Sequence, residues 1–159
     1  MSGIFGIIGN RAMDPGQLAG TFEQMQRSSL LLHDWYTSLA HRDTNAYIGA
    51  SGLPEQNLIQ LAEDAEQHHV LVLYGEIFNI VELNGQYGQP AKTTVAQILL
   101  NGILAEGFAF LQRLEGRFQA VLWNRNIFFW CKRAQNMACV PFRKPAPFLL
   151  NIIHAFSRL

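Results

Sequence analysis

The apolar residues of this 159-residue chain fall into short runs that come in pairs, with helical patterns between the pairs. That order constrains the fold most, because paired strands separated by helices favour a mixed α/β sandwich over a doubly wound parallel sheet. Residues 3–8 read as a short buried strand, with Ile4, Phe5, Ile7 and Ile8 closed by Gly9-Asn10. Asp14-Pro15 predicts a helix start, aspartate as N-cap and proline at the first helical position. This helix carries Leu18, Phe22, Met25 and Leu30 on one side and ends near His33. Residues 45–51 form a weaker strand candidate, and Val70 to Tyr74 a stronger one that runs into Gly75-Glu76. A polar connection around Asn84 to Pro90 leads to a helix from about Thr94 to Glu106, with Gly107 at its C′ position. A short helix, Phe108 to Leu114, precedes a turn at Glu115-Gly116. Phe118 to Trp123 and Ile127 to Cys131 then make a hairpin across Asn124-Arg125-Asn126. From Lys144 the chain reads Lys-Pro-Ala-Pro and then turns apolar, which allows a terminal helix with one apolar face.

Composition narrows the class of function. Apolar residues make up 49% and charged residues 15%, so the chain is globular and apolar for its length. Acidic and basic residues number 12 each, which gives no electrostatic reason to expect a nucleic acid or an anionic membrane as partner. The small basic cluster of Arg143, Lys144 and Arg158 reads as a solvated tail. Cys131 and Cys139 make neither a disulfide framework nor a metal set and read as reduced thiols. His33, His41, His68, His69 and His154 show no metal-ligand spacing, and adjacent His68 and His69 point to opposite faces of a strand. No metal or cofactor is therefore expected. The first residues lack a basic segment and are broken by Gly3, Gly6 and Gly9, unlike a signal peptide. No segment reaches the roughly 20 apolar residues needed to span a bilayer. A soluble cytoplasmic protein is the expectation.

Three separated segments share one pattern. Met1-Ser2-Gly3-Ile4-Phe5-Gly6 opens the chain, Leu73-Tyr74-Gly75-Glu76-Ile77-Phe78-Asn79 follows the strongest strand, and Leu114 to Asn124 contains the hairpin's first strand. In order and spacing they resemble the class II glutamine amidotransferase domain, the N-terminal-nucleophile glutaminase of asparagine synthetase and its relatives. That family opens Met-Cys-Gly-Ile-Phe-Gly and carries Tyr-Asn-Gly-Glu-Ile-Tyr-Asn and Leu-Asn-Gly-Met-Phe-Ala-Phe-Ala-Ile-Trp-Asp at the other two places. The resemblance spans residues 1 to about 142. It implies an α+β fold, the four-layer αββα sandwich of N-terminal-nucleophile hydrolases, over residues 1–143, with 144–159 as a divergent tail.

The resemblance also implies a mechanism. In such enzymes the first residue supplies the nucleophile, and its free α-amine, with a pKa of about 7.7 to 8.0, acts as general base. Here that residue is Ser2, exposed once Met1 is removed, where the family has a more acidic cysteine. Tyr74 stands where the family's asparagine donates to the oxyanion, and loss of one such donor costs about 2.7–4 kcal/mol in comparable sites. Gly75 and Glu76 match the family. The arginine that holds the glutamine carboxylate aligns with Gly52, since Arg42 lies ten residues too early. The aspartate that holds the amine aligns with Val95, or with Thr94 if the register slips by one. The family's His-Arg-Gly-Pro-Asp block is reduced to His33-Asp34-Trp35, and its Ala-Arg-Asp-x-x-Gly-x-x-Pro block to Arg133 to Pro141.

Glutamine is a small zwitterion, and a pocket without a cation for its carboxylate leaves that charge unpaired on desolvation. The leading expectation is therefore a degenerate glutaminase-like domain that acts as a structural or interaction module for an asparagine synthetase-like partner. Two enzymatic alternatives stand beside it: a serine N-terminal-nucleophile amidohydrolase on a less polar substrate, and residual glutamine hydrolysis that supplies ammonia to a separate ATP-dependent synthetase. The Ser-Gly-Gly-x-Asp-Ser signature of the ATP-pyrophosphatase domain is absent from these residues, so the expectation is a synthetase on another polypeptide. A homodimer is compatible with the sequence.

Overall fold

A computed structural model describes residues 3–8, 14–30, 37–42, 46–53, 58–64, 69–87, 93–124, 127–133, 136–142 and 148–150. The chain divides into two compact units, Met1–Ile59 with Phe142–Leu159, and Gln60–Pro141. The described residues form a mixed α/β structure with two small antiparallel sheets, as the paired runs predict.

The first unit holds strands β1 (Gly3–Ile8), β2 (Thr37–Arg42), β3 (Ala46–Gly52) and β9 (Phe148–Leu150) in the order β2-β3-β1-β9. Strands β1 and β3 run antiparallel, with Ile4 opposite Ala50 and Gly6 opposite Ile48. Helix α1 (Pro15–Leu30) packs on them. Its start is capped as expected: the Asp14 carboxylate accepts from the Gln17 N–H at 3.2 Å, and the Asp14 carbonyl accepts from Leu18 N at 3.1 Å. Leu18 and Phe22 meet Phe5 and Ile7 in a buried cluster, flanked by Met25 and Tyr47. The Phe22 ring lies 5.4 Å from that of Phe5 and 5.6 Å from that of Tyr47, tilted to both, a favourable arrangement for aromatic rings.

The second unit holds β4 (Ile59–Asp64), β5 (His69–Ile77), β6 (Gly116–Trp123), β7 (Ile127–Arg133) and β8 (Asn136–Phe142), in that spatial order. Strands β5 and β6 pair from Val70 opposite Trp123 to Ile77 opposite Gly116. The hairpin of β6 and β7 closes at Trp123 opposite Ile127. Because side chains alternate along a strand, Leu71, Leu73 and Ile77 share one face with Phe118, Ala120 and Leu122. That face packs against helix α2 (Ile80–Tyr87), helix α3 (Val95–Glu106) and a 3-10 helix (Gly107–Arg113), which contribute Leu83, Leu99, Leu100, Ile103, Phe110 and Leu111. Thr94 caps α3 through its hydroxyl, which accepts from Gln97 N at 3.2 Å, and Gly107 ends it at φ +67°. A side chain of β4 completes the cap, with Gln60 Oε1 accepting from Ala96 N at 3.1 Å. Among the described residues no helix is long and apolar enough to cross a membrane.

Four sequence expectations change. The polar connection around Asn84 begins inside α2, because Ile80, Leu83 and Tyr87 recur at helical spacing and bury one side while polar residues and Gly85 face solvent. Gly116 belongs to β6 rather than to a turn, since its backbone is paired with Ile77. Strands β2, β4 and β8 lie in segments whose patterns predict no strand. Phe148–Leu150 form a strand beside β1 rather than part of a terminal helix, with Gly6 opposite Leu150. His33-Asp34-Trp35 and the rest of the tail lie outside the described residues.

Phe22→Ala is expected to lower stability by about 3–5 kcal/mol, through lost transfer energy and the cavity left between β1 and α1. Urea denaturation checks it, with a lowered midpoint and an unchanged slope as the expected result.

Candidate functional site

One segment of the family pattern, Leu73 to Asn79, lies at the end of β5 and the turn that follows it. Tyr74, Gly75 and Glu76 follow one another there, opposite Gln119, Phe118 and Arg117 of β6. Gly75 has φ +118°, a backbone conformation that L side chains rarely adopt. A Cβ at Gly75 would lie 2.2 Å from the Arg117 carbonyl oxygen, and one at Gly116 would lie 2.2 Å from the Glu76 carbonyl oxygen. The two strands thus approach so closely around the Glu76–Arg117 pair that glycine is required on both sides of it.

The side chains here alternate like the rest of β5. Leu73 and Ile77 face the helices, so Tyr74 and Glu76 project from the other side of the sheet. Tyr74 is half-buried, and Glu76 is exposed. Arg117, also exposed, occupies the position directly opposite Glu76, so opposite charges face each other across the strands. Opposite Tyr74 in register, the Gln119 amide oxygen is buried without a hydrogen-bond partner among the described residues.

The remaining candidates are distributed elsewhere. Val95 begins α3 and packs against the helix-side core, on the opposite side of the sheet from Tyr74 and Glu76. Thr94 spends its hydroxyl on the cap. Gly52 ends β3 in the other unit, opposite Thr37. Arg42 ends β2, opposite Tyr47. Ser2 lies outside the described residues. His69 is half-buried, with Nε2 at 3.3 Å from Asn124 Nδ2. Among the described residues no three His, Cys, Asp or Glu side chains gather as metal ligands.

Two polar arrangements carry no signal that sequence reading picks up. Asn79 uses both ends of its carboxamide: Nδ2 donates to the Arg113 carbonyl at 2.8 Å, and Oδ1 accepts from Glu115 N at 3.0 Å. Phe78 N also donates to the Glu115 carbonyl, at 2.7 Å. The turn after Glu76 is thereby tied to the start of β6. The second arrangement is a cluster at the far end of α2. Arg113 Nη1 donates to the Tyr87 hydroxyl at 2.8 Å and to Glu106 Oε1 at 2.9 Å, while its Nη2 donates to Gln86 Oε1. The Tyr87 hydroxyl donates to the same Glu106 oxygen. Its ring lies edge-on to Phe110 at 5.1 Å, and the guanidinium lies 5.7 Å from the ring centre.

The Tyr87 hydrogen bond holds the Glu106 carboxyl below its ordinary range, with Arg113 adding to the effect. The same bond to Glu106 raises the Tyr87 phenol, and partial burial adds to it. A depressed carboxyl stabilises the fold above its ordinary range and loses that contribution as pH falls through the depressed value. A raised phenol stabilises it below about pH 10 and loses that contribution as pH rises through the raised value. The cluster is therefore strongest between the carboxylate and phenol ranges. No protein-family model and no curated protein sequence matches this chain.

Gly75→Ala is expected to cost at least about 2 kcal/mol, from the positive φ and the clash with Arg117 oxygen, and Gly116→Ala a comparable amount. Denaturant midpoints of the two variants check this. In a spectrophotometric phenolate titration, one ionisation step of the wild type is expected to lie above pH 10 and to disappear in Tyr87→Phe.

Proposed function

We propose that the chain is a degenerate class II glutaminase-like domain that does not hydrolyse glutamine and serves as a structural or interaction module. Its proposed partner is an asparagine synthetase-like, ATP-dependent chain. The observation that carries this reading is what stands at the positions that would hold glutamine. Val95 is apolar and turned into the helix-side core, Gly52 has no side chain to offer, and Glu76 stands exposed on the other face of its sheet. The arginine opposite Glu76 in register is Arg117, which is itself exposed. Gly75, the best-matched residue of the motif, has a sufficient backbone reason to be glycine.

The four-layer αββα architecture is part of the same proposal. Each sheet carries helices on one face, and the other face is apolar and buried too: Ile4, Ile48 and Ala50 in one, Val70, Val72 and Val121 in the other. Sheets buried on both faces suit a layered sandwich better than an open two-layer fold.

The test uses the purified chain. Intact mass establishes whether Met1 is removed. The protein is then incubated with a glutamine-analogue electrophile, and glutamate release from glutamine is measured separately. No label at Ser2 and no release above the uncatalysed rate are expected. Labelling of Ser2 by the analogue, or turnover of glutamine, would overturn the proposal. Labelling by simple acyl substrates alone would replace it with the serine amidohydrolase reading.

A further inference from the structure

Helix α2 is held in an unusual way for a buried-face helix. Of its eight residues only Leu83 is fully buried, with Ile80 and Tyr87 partly so. Val81 is 85% exposed, and Glu82, Asn84, Gly85 and Gln86 all face solvent. A helix this short has little stability of its own, so its structure depends on what docks it. The docking groups are mostly polar and sit at its two ends. At the entry, Asn79 binds the Arg113 carbonyl and Glu115 N. At the exit, Tyr87 and Gln86 bind the Arg113 guanidinium, and the Tyr87 carbonyl accepts from Asn101 Nδ2 at 2.9 Å. Both ends thus converge on one residue, through its backbone at one end and its side chain at the other.

We infer that α2 is a latched flap, which opens as a unit while the β5–β6 sheet stays folded, and that the Arg113 side chain is its latch. The physical contrast supports this division. The β5 strand buries Val70, Leu71, Val72 and Leu73 and shares a continuous ladder with β6, whereas α2 has a single deeply buried side chain and a few partly exposed hydrogen bonds. Segments with few buried apolar contacts open at lower free energy than the core around them. Opening uncovers the seat of Leu83 in the core, and Phe78 and Val81 of the same stretch of chain are exposed already. The open form therefore offers a larger apolar surface than the closed one, directly after the Tyr74–Glu76 segment.

Native-state hydrogen exchange on the whole chain tests the inference. In the wild type, amides of residues 83–87 are expected to exchange at least about ten-fold faster than those of residues 71–73 and 120–122. Arg113→Met keeps the stem of the side chain and its backbone bond to Asn79 but removes the guanidinium. It is expected to speed exchange in α2 by about ten-fold or more, with the strands essentially unchanged. Equal protection of α2 and the strands in the wild type overturns the inference. So does equal acceleration of both in Arg113→Met, which would make Arg113 a support of the whole unit. If Arg113→Met does not fold, Glu106→Gln carries the test. It weakens the same cluster while retaining Gln86, so faster exchange confined to α2 sustains the inference and unchanged exchange there overturns it.

Discussion

The close approach of β5 and β6 around Glu76 and Arg117 sets the positions of most of the second unit. Backbone oxygens lie where two Cβ atoms would otherwise sit, so the ladder closes to its last pair, Ile77 opposite Gly116. That last pair brings the start of β6 against the turn that leaves β5. Only then can Phe78 N reach the Glu115 carbonyl and Asn79 reach both Arg113 and Glu115. The 3-10 helix is anchored by the same bonds. It in turn presents Phe110 to the ring of Tyr87, and Arg113 to its hydroxyl. A steric condition at two glycines is thus passed, hydrogen bond by hydrogen bond, to the far end of α2 at Tyr87.

The segment most similar to an active site is also the one with the strongest backbone demands. A strand whose φ turns positive mid-course and whose partner closes to 2.2 Å of a virtual Cβ admits very few residues, whatever lies above it. Chemistry and architecture would ask for the same glycine. The residues that could separate the two are those with side chains: Tyr74, half-buried and opposite in register to an amide oxygen that lacks a partner among the described residues, and Glu76 opposite Arg117.

Local signals in the sequence foretell much of this fold. The Asp14 cap, the Thr94 cap, Gly107 at the end of α3 and the β6–β7 hairpin all follow from short-range chemistry, because each is decided within a few residues. The elements that escape are those whose order is imposed from elsewhere. β4 lies beside β5 and contributes Gln60 to the cap of α3, thirty-six residues downstream. α2 hides its spacing of Ile80, Leu83 and Tyr87 among polar residues and a glycine. The Tyr87–Glu106–Arg113 cluster joins residues nineteen and seven positions apart, and no pattern in one sequence brings them together. For the candidate site, the buried strand that leads into Gly75-Glu76 is legible from its apolar run. The packing of Val95 against the helix-side core is not, because it depends on which face of which element the residue occupies.

The double use of the Asn79 carboxamide leaves no room for a near-isostere. Its nitrogen must give a proton to the Arg113 carbonyl while its oxygen receives one from Glu115 N. An aspartate has almost the same shape but two acceptor oxygens, so one of them would face a carbonyl with no proton between them. Deamidation makes that exchange without any change in the genetic code. Slow chemical ageing at one side chain would therefore loosen the entry to α2 in a protein whose encoded sequence and hydrophobic core were still intact.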